Sequence, residues 1–303
     1  MHCNNQSKVS KELLVTFCVA TYNSELFIER TVQSICSQTY SHIRCIISDD
    51  HSSDRTVEVC NRLALGDSRI LVQSNETRLG WIGNLNRILN QDLSDYFMIV
   101  LHDDVLLPYC VEQLLAELQA HPNASVAYSD LREIASNGAD VTNFTYDFVP
   151  VDSLPTKRAR CVLWGKGHWW LPYHGLVRTR VLNFERRMRP NLSGEFEGDR
   201  LWVLGLAIPG DFVHIPRELW IKYRLPDSVA NRWKYRLIDV LFVFLSCARF
   251  IAFSKLSAVE RLQLLAFIPF CFARANRIVI GVKKPGDRTI EMNSDLFLLK
   301  INQ

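Results

Sequence analysis

The 303-residue chain is predicted to be an α/β protein, a mostly parallel sheet flanked by helices and followed by a C-terminal helical region. Three observations predict it. Between residues 13 and 130, short apolar runs alternate with segments of helical period, the pattern of βαβ units and a sheet covered on both faces. Polar clusters at 21–23, 49–54 and 102–104 fall at the ends of the apolar runs. That is where such sheets present ligand-binding loops. Beyond about residue 230, long apolar stretches with basic residues between them replace the alternation.

The elements follow in order. Leu14–Ala20 is an apolar strand that exits through Thr21-Tyr22-Asn23, and Glu25–Gln38 carries Leu26, Ile28, Val32 and Ile35 at helical spacing. Cys45-Ile46-Ile47 is a second strand, stopped by Ser48–Asp54, whose last residues can cap a helix over Thr56–Leu65. A third strand (Arg69–Gln73), a helix (Trp81–Leu93) and a fourth strand (Tyr96–Leu101) lead to His102-Asp103-Asp104. A helix over Val111–Ala120 and a strand over Ser125–Tyr128 close the regular half. Arg132–Pro155 reads as loop or short strands, Glu195–Leu206 as a helix, and Phe212–Ile215 and Leu219–Tyr223 as two short strands. Leu237–Phe253 and Leu262–Ala273 read as apolar helices too short to cross a bilayer comfortably.

Composition narrows the function. Hydrophobic residues make up 48% and charged residues 22%, which excludes disorder and collagen-like repeats. The net charge is +3, too small to imply a nucleic-acid partner. Nine scattered cysteines without C-x-x-C spacing suggest neither a zinc site nor a disulfide framework. With a polar Met1–Lys11 in place of a signal peptide, the expected compartment is the cytoplasm. The charge is divided unequally. Residues 231–303 hold twelve Lys/Arg against five Asp/Glu, a net +7 that leaves −4 for residues 1–230. That basic, apolar region suits an anionic membrane surface, packing on the acidic body, or a dimer contact.

Two polar clusters carry chemistry. Asp103 and Asp104, adjacent carboxylates at the mouth of a buried strand, either meet a cation that relieves their repulsion or cap the next helix. A carboxylate at Asp49 or Asp50 can accept the N3–H of uracil or thymine, or the segment is a solvated loop whose Asp54 caps a helix. Trp169, Trp170 and Tyr173 suit stacking on sugar rings or a place in the core, and His174 an acceptor contact or a structural role.

Taken together, these segments resemble the family 2 glycosyltransferases of the GT-A fold. Val19-Ala20-Thr21-Tyr22-Asn23 stands for the family's strand and P-T-Y-N, followed by Ser34–Tyr40. Ile46–Asp54 is similar to its hydrophobic-D-D-G-S-x-D, and Asn75, Gly80, Asn84 and Asn86 to its N-x-G-x-x-x-N segment. His102-Asp103-Asp104 occupies the place of D-x-D, with His for the first Asp, and Ala20 replaces the usual Pro. Five ordered matches span about 100 residues.

The resemblance implies a catalytic domain over 1–230, its nucleotide-binding half at about 13–130 and its acceptor half at 131–230, with an appendage over 231–303. It implies a nucleoside pocket of Ala20, Tyr22, Asp49 or Asp50, and Arg78, with Asp103 on the ribose and Asp104 on Mg²⁺ or Mn²⁺ bridging the phosphates. Glu195-Phe196-Glu197-Gly198-Asp199 stands for the family's acidic pair, with Gly198 between the acids. Asp199, or failing it Glu197, is then the base for an inverting transfer, unless these acids only complement a helix N-terminus. Gly210-Asp211-Phe212 with Tyr223-Arg224 matches the end of the family's domain, with Arg224 near the phosphates or packed on the sheet.

The implied function is transfer from a UDP- or dTDP-sugar to a saccharide or lipid-linked acceptor in cell-surface polysaccharide assembly, at the inner face of the plasma membrane. The alternatives are a non-catalytic nucleotide-binding scaffold and a nucleotidyltransferase. The latter lacks its Gly-rich basic loop in Ala20–Leu26, and no G-x-G-x-x-G supports a dehydrogenase.

Overall fold

A computed structural model describes residues 13–142, 153–165, 168–184, 187–224 and 236–281. The donor half is a run of parallel strands: β1 (Val15–Thr21), β2 (Ile43–Asp49), β3 (Ile70–Ser74) and β4 (Tyr96–Leu101). Helices α1 (Ile28–Cys36), α2 (Thr56–Gly66) and α3 (Gly80–Leu89) connect them. Strands β1 and β4 are buried along nearly their whole length because helices cover both faces, which is why they read as unbroken apolar runs.

The acceptor half continues the same sheet with mixed directions. After β5 (Val105–Leu106) and α4 (Cys110–Ala120) come β6 (Ala124–Ile134), α5 (Pro155–Trp164), β7 (Leu176–Arg178), α6 (Gly198–Ala207) and β8 (Asp211–Tyr223). Among the described residues the strand order is β3-β2-β1-β4-β7-β6-β8-β5. Strand β7 runs antiparallel to β4 and β6, and β8 runs parallel to β6. The sheet is thus mostly parallel in the donor half and mixed beyond it.

Three expectations are corrected here. Strand β6 continues past the expected Ser125–Tyr128 to Ile134, into residues expected to be loop or short strands, because its polar side chains find partners across the sheet. His214 Nε2 lies 2.6 Å from Asp130 Oδ1, and Arg224 Nη2 donates to Glu133 Oε2 at 2.7 Å. The two short strands expected at 212–223 are one strand, β8. Its register with β6 shifts at Pro216 and Arg217, where a residue without an N–H is tolerated. Helix α5 was not expected at all; its Arg158 is buried and pairs with Asp211 at 2.6 Å.

Helices α7 (Leu237–Ala252) and α8 (Ala258–Gly281) form the C-terminal region, with α7 on α6 and α8 on α5 and α7. Helix α8 runs through Pro269 and is longer than the apolar stretch marked in the sequence. The expected boundary near 230 and the N-terminal Met1–Lys11 lie outside the described residues. No helix among the described residues is long and apolar enough to cross a membrane.

Candidate active site

The loops after β1, β2 and β4 bring the predicted donor residues to one edge of the sheet. Ala20 lies near the end of β1, paired on one side with Ser48 and on the other with Leu101. Beyond it, the Tyr22 ring carries the guanidinium of exposed Arg78 at 3.9 Å, a cation–π platform at the mouth.

Asp49 and Asp50 are both buried beneath this platform. Asp49 accepts from the Ser52 N–H (2.9 Å), the Ser52 hydroxyl and the Ser74 hydroxyl (3.3 Å). Asp50 accepts from the Leu79 N–H (2.7 Å), the Gly80 N–H (3.0 Å) and the Asn75 amide (3.0 Å). It thereby holds the otherwise orphaned donors that open α3. A carboxylate has about four acceptor positions, so each retains room for one further donor.

Asp104 is the opposite case. Its side chain is buried, yet neither carboxylate oxygen has a hydrogen-bond partner. It does not cap α4, whose N-cap is Tyr109, so the capping alternative is removed. Burial pushes its pKa well above the carboxylate range, opposed mainly by the charge of Lys222 and then by Arg30. His174 Nδ1 lies 3.9 Å from Asp104 Oδ2, too far for a hydrogen bond, and burial keeps that imidazole neutral. Asp103 is half-buried, and its backbone carbonyl accepts from Arg30 Nη2 at 3.1 Å. A buried carboxylate without donors fits a hard divalent cation completed by phosphate oxygens and water. Among the described residues no group of three or more His, Cys, Asp or Glu could hold a metal unaided.

The acidic segment before α6 faces this edge from the acceptor half. Glu197, with φ +49°, is committed: its Oε2 accepts from Arg200 Nε at 2.8 Å. Arg200 is buried, stacks at 4.1 Å over the Trp169 ring and donates from Nη1 to the Val162 carbonyl. Asp199, in the first turn of α6, accepts the backbone N–H of Arg200 at 3.0 Å. Burial and then the Glu197 charge push its pKa up to about 6. Helix α3 presses on this segment: a Cβ at Gly198 would lie 2.6 Å from Ile82 Cδ1, and one at Gly80 would lie 2.5 Å from Glu195 Oε1. Glu195 also accepts the Ile82 N–H at 2.9 Å.

Tyr173 is buried, and burial before all else raises its hydroxyl pKa, with smaller contributions from the charges of Asp199 and Asp104. The His174 ring lies against Trp220 at 4.4 Å, and half-buried Trp170 meets His174 edge-on at 5.7 Å, with the Lys222 ammonium 5.6 Å from its centroid. Arg224 is packed on the sheet against Glu133, one of its two expected places.

Sequence reasoning did not single out Arg30, Lys222 or Glu195. Arg30 looks like an ordinary helix charge, although its guanidinium stacks over Tyr223 at 3.7 Å. Lys222, on the strand that ends in the quoted Tyr223-Arg224, was the residue a closer reading could have found.

Residues 16–160 match the Glycosyl transferase family 2 domain. The chain is 29% identical over 133 residues to an uncharacterised glycosyltransferase of Haemophilus influenzae, 44% of this chain and 41% of that protein. It is 33% identical over 98 residues to the GalNAc(5)-diNAcBac-PP-undecaprenol beta-1,3-glucosyltransferase of Campylobacter jejuni, 32% of each. Both matches therefore span less than half of the relative. In structure it resembles S. aureus TarS 1–349 solved with UDP-GlcNAc, at a TM-score of 0.71 and 18% identity, covering 89% of this chain and 76% of that one. At that identity the likeness is one of fold. Residues 16–160 thus match glycosyl transferase family 2, and the fold is the GT-A fold that TarS shares.

Proposed function

We propose that the protein is an inverting glycosyltransferase. It moves a sugar from a UDP- or dTDP-sugar to a hydroxyl of a saccharide or lipid-linked acceptor, in cell-surface polysaccharide assembly at the cytoplasmic membrane face. The observation that carries this reading is the buried Asp104 carboxylate, without a hydrogen-bond partner, together with Asp199 in the first turn of α6. One acid suits the donor's charge, the other the acceptor's proton. The Campylobacter relative named for an undecaprenol-linked saccharide supports a lipid-linked acceptor, and the UDP-GlcNAc-bound TarS supports a uridine donor.

In this reading Tyr22 and Arg78 receive the base, whose N3–H takes the remaining acceptor position on Asp49 or Asp50, beside Ala20. Asp103 accepts from the ribose, and Asp104 holds Mg²⁺ or Mn²⁺. Bound there, a divalent ion would supply positive charge against the negative charge that builds on the leaving diphosphate. Asp199 takes the proton of the acceptor hydroxyl as it attacks the anomeric carbon from the face opposite the phosphate. Glu197 is unsuited to that task while it is tied to Arg200. Trp170 and His174 border the acceptor side, and Trp169 supports Arg200 from behind.

Calorimetry with UDP, dTDP and a panel of their sugars, with and without Mn²⁺ or Mg²⁺, tests the proposal. Binding that requires the ion and is lost in Asp104→Ala is expected. No binding of any nucleotide would sink the reading. Binding without donor hydrolysis or transfer would instead mark a non-catalytic scaffold.

A further inference from the structure

Helix α8 is apolar on two opposite sides. Its inward side is packed: Leu264 and Cys271 are buried, Phe272 meets Phe244 of α7 edge-on at 6.3 Å, and Phe267 stacks on Trp164 of α5 at 5.6 Å. On the outward side Val259, Leu262, Ala266 and Phe270 recur at intervals of three and four residues, the spacing of one helical face. Val259, Leu262 and Phe270 are 65%, 69% and 66% exposed. Phe253, in the turn from α7, is 82% exposed. A helix that is apolar all round is ordinarily covered on every side.

The charges on these two helices and the turn between them identify what covers it. Arg249 and Lys255 are exposed, and Arg261 and Arg274 are half-buried. Arg160 of α5 lies beside the Phe267 ring. Among the described residues of α7, α8 and their connection the acids are Asp239, held by Arg236, and Glu260, which accepts from Ser257. An apolar stripe on a basic element matches an anionic lipid leaflet. A second copy docked face to face would instead set two basic elements against each other.

We infer that the outward face of α8, together with Phe253, lies in the interface of a bilayer leaflet rich in anionic lipid. No helix among the described residues is a candidate to cross the bilayer, so the contact is an in-plane one. It depends on none of the donor chemistry, and either idea can fail without the other.

Flotation of the full chain with phosphatidylcholine vesicles, with or without phosphatidylglycerol, tests the contact. Binding should require phosphatidylglycerol and weaken with salt. The double variant Leu262→Ser/Phe270→Ser should lose at least about tenfold in vesicle affinity, since two exposed apolar side chains no longer insert. Arg249→Glu should lose about fivefold. Circular dichroism and UDP binding equal to wild type would show that these variants are folded. No binding to phosphatidylglycerol vesicles, or unchanged binding by the folded double variant, would overturn the inference. So would a dimer in sedimentation velocity that the double variant dissolves.

Discussion

Asp50 follows β2 and Asp104 follows β4, the strands on either side of β1, and both side chains are buried. Asp50 is surrounded by three donors and fixes the start of α3, whereas Asp104 has none. The first expresses the rule that buried polar groups are hydrogen-bonded. The second breaks it, and an exception at a strand's C-terminal edge is where a ligand is expected to complete the shell. Burial alone therefore does not mark a functional acid. Burial without partners does.

The largest effect should come from the acceptor-side acid. Asp199→Asn is expected to lower turnover by about 10²–10⁴-fold while leaving donor affinity unchanged, as kcat and calorimetric UDP affinity will show. Retained turnover would move the base to Glu197. Next, the two strand-end acids should respond oppositely in urea denaturation at pH 7. Asp50→Ala orphans three donors and should destabilise the fold by about 2–4 kcal/mol. Asp104→Asn removes a buried carboxyl whose ionised form burial disfavours and should stabilise the fold. Equal destabilisation of the two variants would erase the distinction.

A third test uses pH. Folding raises the Asp199 pKa from 3.8 to about 6, so the folded state disfavours the ionised form. The group's contribution to stability is best below its unfolded value and falls by roughly 2–3 kcal/mol as pH rises through the folded one. Activity should rise over the same interval, because only the ionised acid accepts a proton. In Asp199→Asn that part of the pH dependence of stability should vanish. The smallest effect is at the platform. Arg78→Ala removes an exposed cation–π contact of about 0.5–1 kcal/mol, so the donor KM should rise roughly two- to fivefold with no change in Tm.

The donor half was legible because its strands are covered on both faces. A run such as Phe97–Leu101 then has no polar interruption, and the turn-forming clusters mark its end. The metal-type acid and the acidic segment before α6 were legible from order and neighbourhood. What could not be read was partnership. Glu133 fell in a stretch expected to be loop or short strands, yet it meets Arg224 just past β8, and Asp130 meets His214 of β8. Sequence order favours Asp199 over Glu197, but the physical reason, Arg200 holding Glu197, is not readable there. Asp49 and Asp50 looked alike, though they hold different loops. The pairings of Asp130 with His214 and of Glu133 with Arg224 join residues 84 and 91 positions apart, beyond the reach of any local pattern. The apolar C-terminal stretches gave helices but not their orientation, and the structure divides α8 between a side packed on α5 and α7 and a side left open.

The clasp between α3 and the segment 195–198 constrains engineering. Gly80, at φ +78°, leaves room for the Glu195 carboxylate, and Gly198 leaves room for Ile82. A hybrid enzyme that borrows its acceptor half from another chain would have to import α3 with it, because the seam between the halves does not follow the order of the sequence. The same fit burdens a simple repair of the interrupted acid pair: a side chain at 198 would require the Ile82 side chain and the Trp81 ring of α3 to shift.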